Sequence, residues 1–172
     1  MREFLNLWKA LTYAFAKYGN KKRISGGVPY IIHPVRVAMI LRAAGFSDFK
    51  NPNLIIAALF HDLLEDTDLS FEDLRQEYGI QVASIVKELS KPEECNKDDW
   101  LNSFDSASKE AKIIKIADRI DNLLDMKSTG WSVERQKKYA TQGLIILEKC
   151  GEINPELAIK LEETIDQVLK NF

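Results

Sequence analysis

Only two cysteines occur in the 172 residues, Cys95 and Cys150, and neither belongs to a CxxC pattern. That excludes a disulfide framework and a paired-thiol motif, and reads as two free thiols in a reducing cytoplasm. Long apolar runs are missing as well. The longest, Leu54 to Phe60, is seven residues, against the roughly 20 that span a bilayer, so no membrane partner is expected. The opening residues Met1-Arg2-Glu3-Phe4 lack the apolar core of a signal peptide. Positive charge is not in excess: 24 Lys and Arg against 26 Asp and Glu leave a net charge of −2. No broad basic field marks a nucleic-acid partner, and an anionic ligand must be met by local positive charge. Histidine is scarce too, with His33 and His61 alone.

What remains is a globular composition, 45% hydrophobic and 29% charged, in a chain long enough for one domain, residues 1–172, with a buried core. Strand alternation is not sustained anywhere, and helical periodicity is nearly continuous. Phe4, Leu7, Trp8, Leu11, Phe15 and Tyr18 form one apolar helix face, closed by Gly19. Residues 20–29 make a basic, glycine-containing loop. Pro34 suits the first turn of a second helix running to Gly45, and Asn51-Pro52 reads as the start of a third that carries His61 and Asp62. Ser70 with Asp73 resembles a capping box for a short helix ending at Gly79, followed by another over residues 80–89. Lys91-Pro92-Glu93-Glu94 breaks the pattern, and the polar residues 93–99 are expected to be mobile. A helix over residues 108–126 turns Ile113, Ile116, Ala117, Ile120, Leu123 and Leu124 inward. Ser132 caps a helix closed by Gly151, and Pro155 opens the last. The expectation is all-α, a single bundle of about eight helices.

The chemistry concentrates around the two histidines. His61-Asp62 reads as lying in the middle of an apolar helix, within the run that starts at Leu54, and burying such a pair unpaired costs several kcal/mol. A divalent cation offsets that. His33, just before Pro34, and Asp118, within Lys115-Ile116-Ala117-Asp118-Arg119, complete a four-ligand set of imidazole and carboxylate. Such a set suits Mn²⁺, Fe²⁺ or Zn²⁺ over Ca²⁺, and leaves room for water and substrate on a six-coordinate ion. Taken singly, His33 reads equally as a polar boundary residue, and Asp118 as a solvated or salt-bridged acid. Glu65 and Asp66, one turn beyond His61-Asp62, lie at a helix C-terminus, where carboxylates are disfavoured by the helix dipole. A nearby cation supplies a reason for them, and one can act as general base.

Three motifs in order, Pro29-Tyr30-Ile31-Ile32-His33-Pro34, His61-Asp62-Leu63-Leu64-Glu65-Asp66-Thr67 and Lys115-Ile116-Ala117-Asp118-Arg119-Ile120-Asp121-Asn122, resemble the HD-domain hydrolases of the RelA/SpoT superfamily. The chain is most similar to the stand-alone small alarmone hydrolases, the metazoan SpoT homologue type. The resemblance implies an HD-type phosphohydrolase fold and one Mn²⁺ held by His33, His61, Asp62 and Asp118. It implies hydrolysis of the 3′-pyrophosphate of (p)ppGpp to GDP or GTP and pyrophosphate, with Glu65 and Asp66 handling the attacking water. It also implies nucleotide contacts from Lys22, Arg23, Asn122, Arg135 and Tyr139.

The chain departs from the family in places. Lys22 and Arg23 swap the order of an Arg-Lys pair, which weakens bidentate reach and stacking on a base. Lys17 stands where many members have His, and the Gly26-Gly27-Val28 spacing differs. Without the family, residues 21–23 also read as a solvated loop, and Arg135 and Tyr139 as a surface Arg and a core-edge Tyr. Arg119 is expected to pair with the acidic cluster. Two rival functions stay open: another nucleotide phosphohydrolase, such as a 2′-phosphatase of NADPH, and a non-catalytic nucleotide-binding module.

Overall fold

Helical periodicity becomes nine α-helical segments among the described residues of the computed structural model, residues 2–170, with side chains described from Asn6 onward. The side chain of Phe4 and residue Met1 lie outside the described residues. The segments are α1 (Arg2–Tyr18), α2 (Ile32–Ala43), α3 (Pro52–Phe60), α4 (Leu63–Asp66), α5 (Phe71–Leu89), α6 (Lys97–Asn102), α7 (Lys109–Asp125), α8 (Val133–Cys150) and α9 (Pro155–Leu169). No strand occurs among the described residues; an isolated antiparallel bridge pairs Lys22 with Pro29. None of these helices is long and apolar enough to cross a membrane.

Two buried helices carry the architecture. Every residue of α3 from Leu54 to Phe60 is buried, and each large apolar side chain contributes roughly 1.5–3 kcal/mol by leaving water. α3 packs on α1, α2 and α5. α7 packs on α2, α5, α8 and α9 and is buried without a break from Ile113 to Asp121, including Lys115, Asp118, Arg119 and Asp121. Four charged groups inside one core helix need partners, and those partners build the site described below.

The caps follow their side chains. Ser70 and Asp73 form a reciprocal capping box on α5. Gly79 interrupts α5 at φ 85°, ψ 164°, a conformation that glycine adopts without steric penalty, so the segment is two helices meeting where the sequence places their boundary. Ser108, Ser132 and Asn154 each accept a backbone N–H at the starts of α7, α8 and α9.

Three expectations change. On α1 the inner stripe is Ala10, Ala14 and Tyr18, because small alanines allow close approach to α3. Trp8, Leu11 and Phe15 turn outward at 64%, 38% and 61% exposure. Leu124 is likewise exposed, at the edge of the α7–α9 contact, while Ile120 and Leu123 are buried. Residues 93–99 include the start of α6: Asn96 accepts from the Asp99 N–H at 2.9 Å, and buried Trp100 anchors the helix.

Candidate metal centre

α3 ends one residue before His61, and the break itself shapes the site. Asp62 leaves helical geometry (φ −103°, ψ 0°) and caps the single turn of α4. Its carbonyl accepts from the N–H groups of Glu65 and Asp66 at 3.2 and 2.9 Å. His61-Asp62 therefore stands at the C-terminal end of the apolar helix and not within it. The His61 ring turns Nδ1 back to the Ala58 carbonyl at 2.8 Å, so Nδ1 is the donor and Nε2 faces inward.

His33, in the first turn of α2, meets it there. The two Nε2 atoms are 3.1 Å apart. Asp118 Oδ1, from the middle of α7, lies 3.2 Å from His33 Nε2 and 3.7 Å from His61 Nε2. Asp62 Oδ2 lies 3.0 Å from His61 Nε2 and 3.6 Å from His33 Nε2. Ligands at right angles on a cation with bonds of about 2.1 Å stand about 3 Å apart, so the donors of His33, His61 and Asp118 are spaced to share one ion. Imidazole with carboxylate is a donor set for a divalent cation.

Each acid in this cluster is oriented by a neighbour. Tyr30 donates its phenol to Asp62 Oδ2 at 2.6 Å. Burial and the Asp62 charge raise the Tyr30 pKa, so the phenol stays protonated. Lys115, 5% exposed, donates to Asp118 Oδ2 at 2.9 Å with its ammonium 4.3 Å from the Trp100 ring centre. Asn122 donates to Asp118 Oδ1 at 2.5 Å. Burial alone raises a carboxyl, yet Lys115 and the imidazoles hold Asp118 well below the usual carboxylate range. Asp62 is held low against burial by His61 and His33.

Glu65 and Asp66 sit on α4 at the rim of this cluster. Partial desolvation raises Glu65, helped by the Asp62 charge and opposed by the backbone N–H of Lys91, which Glu65 accepts. Asp66 pairs with Lys21, whose ammonium lies 4.6 Å from the Tyr30 ring centre. The basic loop carrying Lys21 closes on itself: Arg23 N donates to Val28 O, and Tyr30 N to Lys21 O, both at 2.8 Å. Gly26 and Gly27 have φ of 67° and 65°, the successive left-handed pair that closes a tight hairpin.

The other expected contacts are divided. Lys22 is exposed. Arg23 is not free for a base: it donates to Asn122 Oδ1 at 3.0 Å and to Asp125 Oδ2 at 3.2 and 3.3 Å. Tyr139 is pushed up to about 12, chiefly by burial, and its own contacts are with Arg119 and Trp131. Arg135 is exposed, 4.0 Å from the Trp131 ring centre. The pairing expected of Arg119 is made by Lys115 instead. Arg119, 1% exposed, donates to the Tyr139 carbonyl at 2.9 Å and stacks 3.8 Å from its ring centre. It points across to α8, away from the acids.

Sequence reasoning passed over Lys21, Tyr30, Lys97, Asp121 and Asp125. Tyr30 and Asp121 lie inside the quoted motifs, and their spacing to His33 and Asp118 was the available signal. Lys97 lay in a stretch read as mobile. Lys97 is an exposed residue, yet partial desolvation of its ammonium and the charges of Lys115 and Arg119 bring it down to about 8.

Fold and site together define an all-α domain built around a buried His/His/Asp centre suited to a divalent cation. The HD domain family model matches residues 10–148. The chain is 31% identical over 167 residues to "Guanosine-3′,5′-bis(diphosphate) 3′-pyrophosphohydrolase MESH1" of Drosophila melanogaster, covering 92% of each. It is 32% identical over 165 residues to the protein of that name from Danio rerio, covering 91% of each. A solved structure described as a metazoan ortholog of SpoT that hydrolyzes ppGpp matches with a TM-score of 0.85 and 32% identity, covering 94% of each chain. The chain belongs to the HD-domain family, among the metazoan SpoT homologues.

Proposed function

We propose that this protein is a guanosine-3′,5′-bis(diphosphate) 3′-pyrophosphohydrolase, acting on (p)ppGpp to give GDP or GTP and pyrophosphate in the cytoplasm. The observation that carries this reading is the convergence of His33, His61 and Asp118, with Asp62 Oδ2 3.0 and 3.6 Å from the His61 and His33 Nε2 atoms and Glu65 and Asp66 one turn beyond Asp62. The names carried by its full-length relatives favour this activity over a 2′-phosphatase of NADPH or a non-catalytic module. In this reading residues 1–172 form one HD-type phosphohydrolase domain.

His33, His61, Asp62 and Asp118 would hold a single Mn²⁺. When bound, the cation polarises a phosphoryl oxygen and acidifies a water. The remaining chemistry falls to the chain's own groups. Glu65, raised by partial desolvation, is suited to take a proton from the attacking water, and Asp66 orients that water. Charge on the departing pyrophosphate is met by Lys21 on the loop side and Lys97 on the α6 side. Asn122 and Tyr139 would line the nucleotide end, with Lys22 and Arg135 completing it and Arg23 holding Asn122 in place.

A product-resolved assay with ppGpp, pppGpp and NADPH, with and without Mn²⁺, tests the proposal. The expected result is Mn²⁺-dependent release of pyrophosphate with GDP or GTP, and no orthophosphate from NADPH. Absence of pyrophosphate from ppGpp in the Mn²⁺-loaded protein overturns it.

A further inference from the structure

The two imidazoles differ in what stands behind them. His61 leans on a neutral backbone carbonyl, Ala58 O. His33 leans on a carboxylate: its Nδ1 is 2.6 Å from Asp121 Oδ2. Both residues are buried, His33 at 1% and Asp121 at 3% exposure. Asp121 follows Asp118 by three positions on α7, so one helix face supplies both a group on the Nε2 side of His33 and a group on its Nδ1 side.

Asp121 is held in turn. Arg36 Nε is 2.6 Å from its Oδ1, and Arg36 Nη2 donates to its Oδ2 at 3.1 Å. Arg23 Nη2 lies further off, at 3.8 Å. The guanidinium supplies the counter-charge that a buried carboxylate needs. Arg36 also donates to Asp125 at 2.8 Å, and Asp125 accepts from Ser25 and Arg23 of the basic loop. A chain of direct contacts thus runs from the loop through Asp125, Arg36 and Asp121 to His33.

We infer that Asp121 is a positioning residue of the metal centre: it holds His33 as the Nδ1–H tautomer, aims Nε2 at the shared point and makes it a stronger donor. A carboxylate acceptor forces the proton onto Nδ1 and leaves the Nε2 lone pair for a cation. Partners of this kind on ligating histidines are worth about 10–100-fold in metal affinity. The inference rests on the reading that these four residues hold a divalent cation.

Two measurements on the full chain test it. The first is Mn²⁺ affinity by titration calorimetry for the wild type and Asp121→Asn, with circular dichroism showing that the variant is folded. Binding weaker by about 10–100-fold is expected; equal binding by a folded variant overturns the inference. The second needs no variant: two-bond ¹H–¹⁵N spectra of the metal-free wild type report the His33 tautomer. Nδ1–H is expected, and Nε2–H overturns the inference. If the wild type binds no Mn²⁺ at all, the metal reading fails by itself, and the tautomer still decides whether Asp121 sets the ring.

Discussion

His33 and His61 present their Nε2 atoms to each other across 3.1 Å. Two neutral imidazoles in that arrangement repel through their lone pairs, so a proton or a cation belongs between them. In the metal-free chain it is a proton. Burial alone would lower His61, but Asp62 and Asp118 outweigh burial and hold it well above its ordinary range. A cation at this point competes with that proton.

The competition sets the sign of the pH dependence. A raised His61 contributes stability that is fully present below its unfolded value of about 6.5 and lost as pH rises through the folded value. The depressed carboxyls of Asp62 and Asp118 contribute above their unfolded value of about 4 and lose it on acidification. Cation binding requires the His61 proton to leave. Stabilisation by Mn²⁺, read as the shift in Tm, should therefore be larger at about pH 8 than at about pH 6. A shift that stays constant across this range contradicts the competition.

Asp118→Ala should do two separable things. It removes one of the four proposed metal ligands, and it strands the Lys115 ammonium, 5% exposed, without its carboxylate. Breaking one side of a buried ion pair costs about 3–5 kcal/mol, and the Trp100 face, 4.3 Å from the ammonium, offsets part of that. Adding Lys115→Met should recover stability in urea denaturation without restoring Mn²⁺ binding. If both recover together, the two roles are not separable.

Glu65→Gln and Asp66→Asn should leave Mn²⁺ affinity unchanged while lowering kcat by about 10²–10⁴-fold, the usual weight of a general base. Asp66→Asn also releases Lys21 from its ion pair, so its KM should move where that of Glu65→Gln does not. Unchanged turnover in both variants removes the acidic pair from the mechanism.

The helices and the His33, His61 and Asp118 cluster were legible in sequence for the same reason: each is encoded by local spacing or by residue types too costly to bury without purpose. Gly79, Ser70 with Asp73, and Pro155 announce their breaks and caps within four residues. His61-Asp62 after seven apolar positions announces a site. What stayed hidden depends on which helix packs against which. The outward turn of Trp8 and Phe15 follows from the fit of Ala10 and Ala14 against α3. That Lys115 and not Arg119 reaches Asp118 follows from the placement of α8, whose Tyr139 carbonyl takes the guanidinium. Asp121 reads in sequence as one more acid on a helix. Only the approach of α2 to α7 puts His33 and Arg36 against it.

The basic loop offers the sharpest contrast between neighbours. Lys22 is exposed, so Lys22→Ala should change stability by less than about 0.5 kcal/mol, as surface substitutions do. Any effect on activity should then lie in KM alone, the mark of a group that binds ground state and transition state equally. Arg23 is built in: it bonds Asn122 and Asp125, and Asn122 in turn bonds Asp118. Arg23→Ala removes charge-assisted bonds worth about 1.5–3 kcal/mol and releases Asn122 from one of its two partners. Stability and kcat should fall together in that variant, read by urea denaturation and steady-state kinetics. Arg23→Lys should recover little of either, since an ammonium cannot span Asn122 and Asp125 as the guanidinium fork does. A Lys22 variant that loses kcat, or an Arg23 variant that loses only KM, reverses the assignment of the two residues.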